Sequence, residues 1–104
     1  VYADATRYVE REAARRAKGS WGVVLDLDQT VLDNVAYQVM VERKNARFSQ
    51  ATWRDWVEQR AATEVPGSVA FIHRVRALGG HVLLVTNRYD YEADATRENL
   101  AALG

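Results

Sequence analysis

Two aspartates stand two positions apart in the stretch LDLDQTVLDN, residues 25–34, directly behind the apolar run Val23, Val24 and Leu25. A carboxylate at the apolar end of a strand must be neutral, paired or bound to a cation, because burying an unpaired charge is costly. Asp26 and Asp28 would also repel each other unless they share a proton or a cation; Mg²⁺, a hard ion that prefers oxygen, would relieve both. In that arrangement one carboxylate can attack phosphorus while the other moves a proton. A plainer reading is open as well: one acid caps the following turn through its backbone N–H groups and the other faces water.

A second polar cluster, Thr86-Asn87-Arg88, follows the apolar VLLV of residues 82–85. Alone it reads as a polar turn with its arginine in solvent. Beside the two acids it makes sense as a phosphate clamp, since a hydroxyl and backbone N–H groups donate to phosphoryl oxygens and a guanidinium adds charge.

The elements that must position these clusters follow from periodicity. Tyr2 to Lys18 is rich in Ala, Arg and Glu, and the i, i+4 spacings Asp4 to Tyr8 and Tyr8 to Glu12 predict a largely solvated helix ended by Gly19-Ser20. Trp21 to Leu27 predicts a short strand whose consecutive apolar residues suit a sheet covered on both faces. Residues 34–60 lack strand alternation and predict a helix to about Arg47, then another from Gln50 to Ala61 behind Ser49, with Trp53, Trp56 and Val57 at i, i+3, i+4. Pro66-Gly67-Ser68 opens a further helix, Val69, Ile72, Val75 and Leu78 recurring at steps of three until Gly79-Gly80. His81 to Thr86 is a strand, and Asp90 can cap a last helix from about Tyr91 to Leu103, stopped by Gly104.

Helix, strand, helical insert, helix, strand, helix is best built as a right-handed parallel βαβ unit with helices on both faces. Both polar clusters then lie at the carboxyl ends of adjacent strands, where open α/β sheets bind ligands. Two strands leave long apolar edges, so the 104 residues read as the N-terminal portion of one larger domain.

The totals narrow the partners. Fourteen basic and fourteen acidic residues give no net charge, which argues against a nucleic acid polymer or an anionic bilayer as a bulk partner. With no cysteine there is neither a disulfide framework nor a thiolate zinc site, and His73 and His81 have no second ligand in motif spacing. No apolar stretch approaches the length of a membrane span and no signal peptide begins at Val1; a first residue of valine implies a natural start elsewhere, so the latter carries little weight.

DLDQT at 26–30, preceded by VVL and followed by VLDN, resembles the first motif, Asp-x-Asp-x-Thr, of the haloacid dehalogenase (HAD) superfamily of phosphohydrolases. VLLVTNR resembles its second motif, a Thr or Ser ending the next strand. The extended form LDLDxTVLDN, Tyr37 three residues beyond Asn34, and TNR ahead of a helix holding Thr96, Asn99 and Leu100 are similar to the class C acid phosphatases, bacterial surface-associated or periplasmic nonspecific phosphomonoesterases. The resemblance spans essentially the whole chain. It implies an α/β fold with a Rossmann-like parallel sheet of the HAD type, incomplete here, in which residues 34–60 form a small helical cap insertion.

The same resemblance implies roles. Asp26 would be the nucleophile that becomes an aspartyl-phosphate, and Asp28 the acid/base that protonates the leaving alcohol and later activates water. Thr86 would hold the transferring phosphoryl group, with Asn87, Arg88 and Tyr37 as substrate-binding residues. Mg²⁺ would be bound by the Asp26 side chain, the Asp28 backbone carbonyl and a downstream acid, neutralising phosphate against carboxylate. Thr30 would brace the loop. A small phosphomonoester is the implied substrate, and the periplasm or cell surface the implied location.

Two departures stand out. Gln29 occupies a position where class C enzymes usually carry Glu. No third or fourth motif follows, so the lysine that bridges nucleophile and phosphate and the acidic pair that completes the metal site are lacking. After Arg88 there is no Lys, and Asp90, Glu92, Asp94 and Glu98 all lie in or beside the last helix, Asp90 as its cap and the others as a solvated face. Lys18 and Lys44 sit upstream on predicted helices. The 104 residues alone are therefore expected to be inactive and the complete protein active.

Within the insert, Tyr37, Trp53 and Trp56 could stack on a nucleobase or aromatic leaving group, or the tryptophans could simply fasten a helix to the sheet. The alternative to the enzyme is a noncatalytic phosphate-binding or interaction domain derived from the same fold. A phosphotransferase or carbohydrate-active enzyme using Asp-x-Asp for metal is disfavoured by the Thr86 cluster.

Overall fold

A computed structural model describes residues 1–43 and 48–104 of the chain. Strand β1, Gly22–Asp26, and strand β4, His81–Val85, pair in parallel with Gly22 opposite His81 and Asp26 opposite Val85. Between them run β2, Leu32–Asp33, α2, Val35–Arg43, α3, Gln50–Gln59, β3, Thr63–Glu64, and α4, Ser68–Ala77; α1, Tyr2–Ala13, precedes β1 and α5, Ala93–Leu103, follows β4. The fold is thus a small, mostly helical α/β unit with one parallel pair of strands and not a full Rossmann sheet. β2 and β3 form a second, antiparallel pair of two residues each, which alternation over so short a stretch cannot announce.

The parallel pair is clothed on one side. Val23, Leu25 and Val82 pack with Val9 of α1 and with Phe71 and Val75 of α4, and the Tyr2 and Phe71 rings lie 5.4 Å apart. On the opposite face Val24, Leu83 and Val85 are 65, 59 and 56% exposed. Among the described residues, the helices that pack on this pair, α1 and α4, take the Val23 side.

A second core lies under the loop that leaves β1. Leu27, Val31 and Leu32 are fully buried with Tyr37, Trp56 and Val57, and each such leucine stabilises the fold by roughly 2 kcal/mol. The loop turns back because Val31 and Leu32 both donate their N–H to the Leu27 carbonyl at 2.9 Å, and Gln29 adopts a left-handed φ of 62° to permit it. Asn99 of α5, itself buried, ties the segment after α3 down: its Oδ1 accepts the Ala62 N–H at 3.1 Å and its Nδ2 donates to the Ala62 carbonyl at 2.9 Å.

Element ends differ from the sequence expectations for local reasons. α1 stops at Ala13 instead of Lys18, because Arg15 and Arg16 bond back three residues in tight turns and Gly19, at φ 80°, swings its N–H onto the Gly79 carbonyl at 2.7 Å. α2 ends at Arg43, and the rest of its expected extent, with Lys44, lies outside the described residues. α3 is started by Ser49 and Thr52, each side chain bonding the other's backbone N–H, a cap worth about 1 kcal/mol. Before α5 a 3₁₀ turn, Asp90–Glu92, intervenes, and the carboxylate that caps it is that of Glu92, bonded to the Tyr89 N–H at 3.0 Å, in place of Asp90. Glu92 is accordingly buried, against its expected place on a solvated face, whereas Asp94 and Glu98 are exposed.

Candidate active site

The β1–β4 register sets the site. Asp26 ends β1 opposite Val85, the Leu27 N–H extends the ladder to the Val85 carbonyl at 3.1 Å, and Thr86 is the next residue of the neighbouring chain segment. The Asp26 side chain is exposed, with Oδ2 3.5 Å from the Thr30 hydroxyl. Thr30 in turn gives its carbonyl to the Tyr2 hydroxyl, so α1 is fastened to the loop that follows the two acids. Burial pushes the Tyr2 phenol above its ordinary pKa.

Asp28 is held asymmetrically. Its Oδ1 accepts from Asn34 Nδ2 at 2.8 Å, Arg88 Nη2 at 2.7 Å and Arg88 Nε at 3.2 Å, while Oδ2 shares only the Nε contact, also at 3.2 Å. One carboxyl oxygen is thus held by three contacts and the other by one. Arg88, for its part, is not a solvated arginine: its side chain is 4% exposed, against 27% for Asp28, and its remaining Nη1 donates to the Thr96 hydroxyl at 3.0 Å.

The other sequence candidates fall in two groups. Thr86 and Asn87 are exposed, Thr86 directly after the Val85 that pairs with Asp26, and Thr86 Oγ1 accepts the Arg88 N–H at 3.0 Å, which leaves its hydroxyl proton for an incoming oxygen. Tyr37 is 5% exposed, its hydroxyl 3.0 Å from that of Thr52 and its ring edge-on to Trp53 at 5.2 Å. Asp28, Asn87 and Arg88 share a cavity of about 260 Å³ with Phe48, Trp53 and Tyr89.

Several members of this site had no sequence warrant. Asn34 carried no assigned chemistry, although it is buried between Asp28 and the Trp56 indole, which donates to its Oδ1 at 3.0 Å. Tyr89 and Tyr91 stack with ring centroids 5.3 Å apart, and the Arg54 guanidinium lies 5.1 Å from the Tyr91 ring centre. Their i, i+2 spacing in the loop after TNR was the available clue. For a metal, the Asp26 carboxylate and the Asp28 carbonyl are hard oxygens suited to Mg²⁺, two of the six positions it takes. Among the described residues no group of three or more His, Asp or Glu side chains gathers to hold an ion.

Known proteins share this fold. The sequence matches the family described as HAD superfamily, subfamily IIIB (Acid phosphatase), over residues 1–104. The fold is similar to the class C acid phosphatase from Bacillus anthracis, at 30% identity and a TM-score of 0.91, over 99% of this chain and 43% of that one. A structure of the class C acid phosphatase from Bacillus anthracis with tungstate bound matches over the same shares, at 30% identity and a TM-score of 0.92. The chain thus spans less than half the length of these structures. A family match along its entire length, joined to aligned Asp26 and Thr86 strand ends, places the chain in the HAD superfamily, subfamily IIIB, the acid phosphatases.

Proposed function

We propose that the protein containing this chain hydrolyses small phosphomonoesters through an aspartyl-phosphate on Asp26. The observation that supports this reading is the parallel register, in which the exposed Asp26 ends β1 opposite Val85, the residue before Thr86, with Asp28 two residues on. A structural relative has been described with tungstate, a tetrahedral oxyanion, bound, which supports the reading of a phosphoryl-sized ligand.

In the first step an Asp26 oxygen forms a bond to phosphorus as the ester P–O bond breaks, and Asp28 gives a proton from Oδ2 to the departing alkoxide. In the second, water attacks the same phosphorus, Asp28 takes its proton, and the bond to Asp26 breaks to release inorganic phosphate and restore the carboxylate. In this reading the Thr86 hydroxyl donates to a phosphoryl oxygen and the Asn87 amide binds the same group. Mg²⁺, held by the Asp26 carboxylate and the Asp28 carbonyl, would offset the repulsion between carboxylate and phosphate dianion. Tyr37, buried in the insert, supports the cavity wall made by Phe48 and Trp53. A periplasmic or cell-surface location follows from the family resemblance; among the described residues no helix is long and apolar enough to cross a membrane.

The test is phosphate release from p-nitrophenyl phosphate by the full-length protein with MgCl₂, together with acid-quenched mass spectrometry for a phosphoryl adduct on Asp26. Phosphate binding without turnover would favour the noncatalytic alternative.

A further inference from the structure

Asp28 is gripped from two directions, and both grips lead back to one helix. Trp53 and Trp56 stand three residues apart on α3, within the helical insert. From Trp56 the path runs through the indole N–H to Asn34 Oδ1 at 3.0 Å, then from Asn34 Nδ2 to Asp28 Oδ1 at 2.8 Å. From Trp53 it runs through the ring face to the Arg88 guanidinium, 5.2 Å from the ring centre, and from Arg88 to both oxygens of Asp28.

The polarity of each path is dictated by chemistry. An indole nitrogen can only donate, so it fixes the carbonyl end of Asn34 toward Trp56 and forces the amide N–H₂ toward Asp28. The Thr96 hydroxyl donates to the Glu92 carbonyl at 2.8 Å, so toward Arg88 it can only accept, which locks the third corner of the guanidinium. Trp56 is 5% exposed with its N–H committed, so it offers no face to a substrate.

We infer that Trp53 and Trp56, acting through Arg88 and Asn34, are positioning residues that immobilise Asp28 Oδ1 and leave Oδ2 as the oxygen that meets the leaving group. This rests on the reading of Asp28 as the acid/base. It makes the insert part of the proton-transfer machinery as well as a cover, and it makes Arg88 a strut for Asp28 instead of a phosphate ligand.

The experiment uses the full-length protein and a series of aryl and alkyl phosphates with leaving groups of increasing basicity. Trp56→Phe, which keeps the ring and deletes the donor, is expected to lower kcat roughly tenfold for the most basic leaving group and much less for p-nitrophenolate, with KM and the inhibition constant of inorganic phosphate unchanged. Arg88→Lys is expected to show the same split. An equal loss for every leaving group would reduce Trp56 to a stability residue and overturn the inference; a large rise in the phosphate inhibition constant for Arg88→Lys would make that residue a phosphate ligand and overturn it too. A further readout needs no turnover. The Trp56 indole N–H resonance should differ between the wild-type protein and Asp28→Asn while that of Trp21 stays; an unmoved Trp56 resonance overturns the linkage. Absence of turnover in the wild type would sink the phosphatase reading alone, since this resonance tests the linkage independently.

Discussion

Arg88 Nη2 lies 2.7 Å from Asp28 Oδ1, and the two residues are 60 positions apart in the chain. The contact closes the space between the loops that leave β1 and β4, and the arginine side chain is almost wholly removed from water while its partner is partly exposed. Arg88→Gln should therefore destabilise the protein by about 2 kcal/mol, below the usual cost of breaking a fully buried pair because water still reaches Asp28. A shift in the urea midpoint with an unchanged slope is the measurement.

Asp26 is the last residue of β1 and is exposed. Asp26→Asn should abolish phosphate release from the full-length protein, a loss of at least about a thousandfold. Normal release by that variant would remove Asp26 from the chemistry.

Asp28→Asn separates acid catalysis from binding. Its rate loss should grow with the basicity of the leaving group, within the roughly 10²–10⁴-fold range of general acid catalysis. A Brønsted plot on substituted phenyl phosphates gives the answer, a flat difference counting against the role.

Tyr89 is half-exposed at the mouth of the Asp28 cavity and backed by the parallel Tyr91 ring. A flat face of this kind favours a planar leaving group by about 1 kcal/mol. Tyr89→Ala should raise KM for aryl phosphates roughly fivefold while leaving alkyl phosphates unaffected.

Asn99 holds both backbone groups of Ala62 in a buried setting. Asn99→Ala leaves a donor and an acceptor unpaired together, so a loss of about 2–4 kcal/mol is expected by chemical denaturation.

Burial raises the Tyr2 phenol pKa in the folded state, and the sign of the linkage follows. The neutral phenol is favoured by folding, so its contribution is complete below the ordinary tyrosine pKa and is lost as pH rises through the elevated folded value. Tyr2→Phe should flatten the alkaline decline in stability, read as melting temperature against pH.

Much of the scaffold could be read from spacing alone. The consecutive apolar residues of β1 and β4 and the recurrences along α3 and α4 gave those elements to within a residue or two, and Asp26 ends β1 while Thr86 directly follows the neighbouring parallel strand β4. What spacing could not carry was the identity of partners distant in sequence. Arg88 looks the same in a string whether it ends in solvent or against Asp28, and only the packing of Trp53 and Thr96 decides. Glu92 escaped for the same reason: a carboxylate in the first turn of a helix is usually wet, and this one turns inward to a backbone N–H. The pair Leu32–Asp33 with Thr63–Glu64 is too short to leave a pattern.

The uncovered side of the strand pair has a practical corollary. Val24, Leu83 and Val85 present a flat greasy strip to water, flanked by backbone groups that can template further strands. A preparation of these residues alone should brighten hydrophobic dyes, self-associate on concentration and gain colloidal tolerance from Leu83→Lys, which sits centrally in that strip.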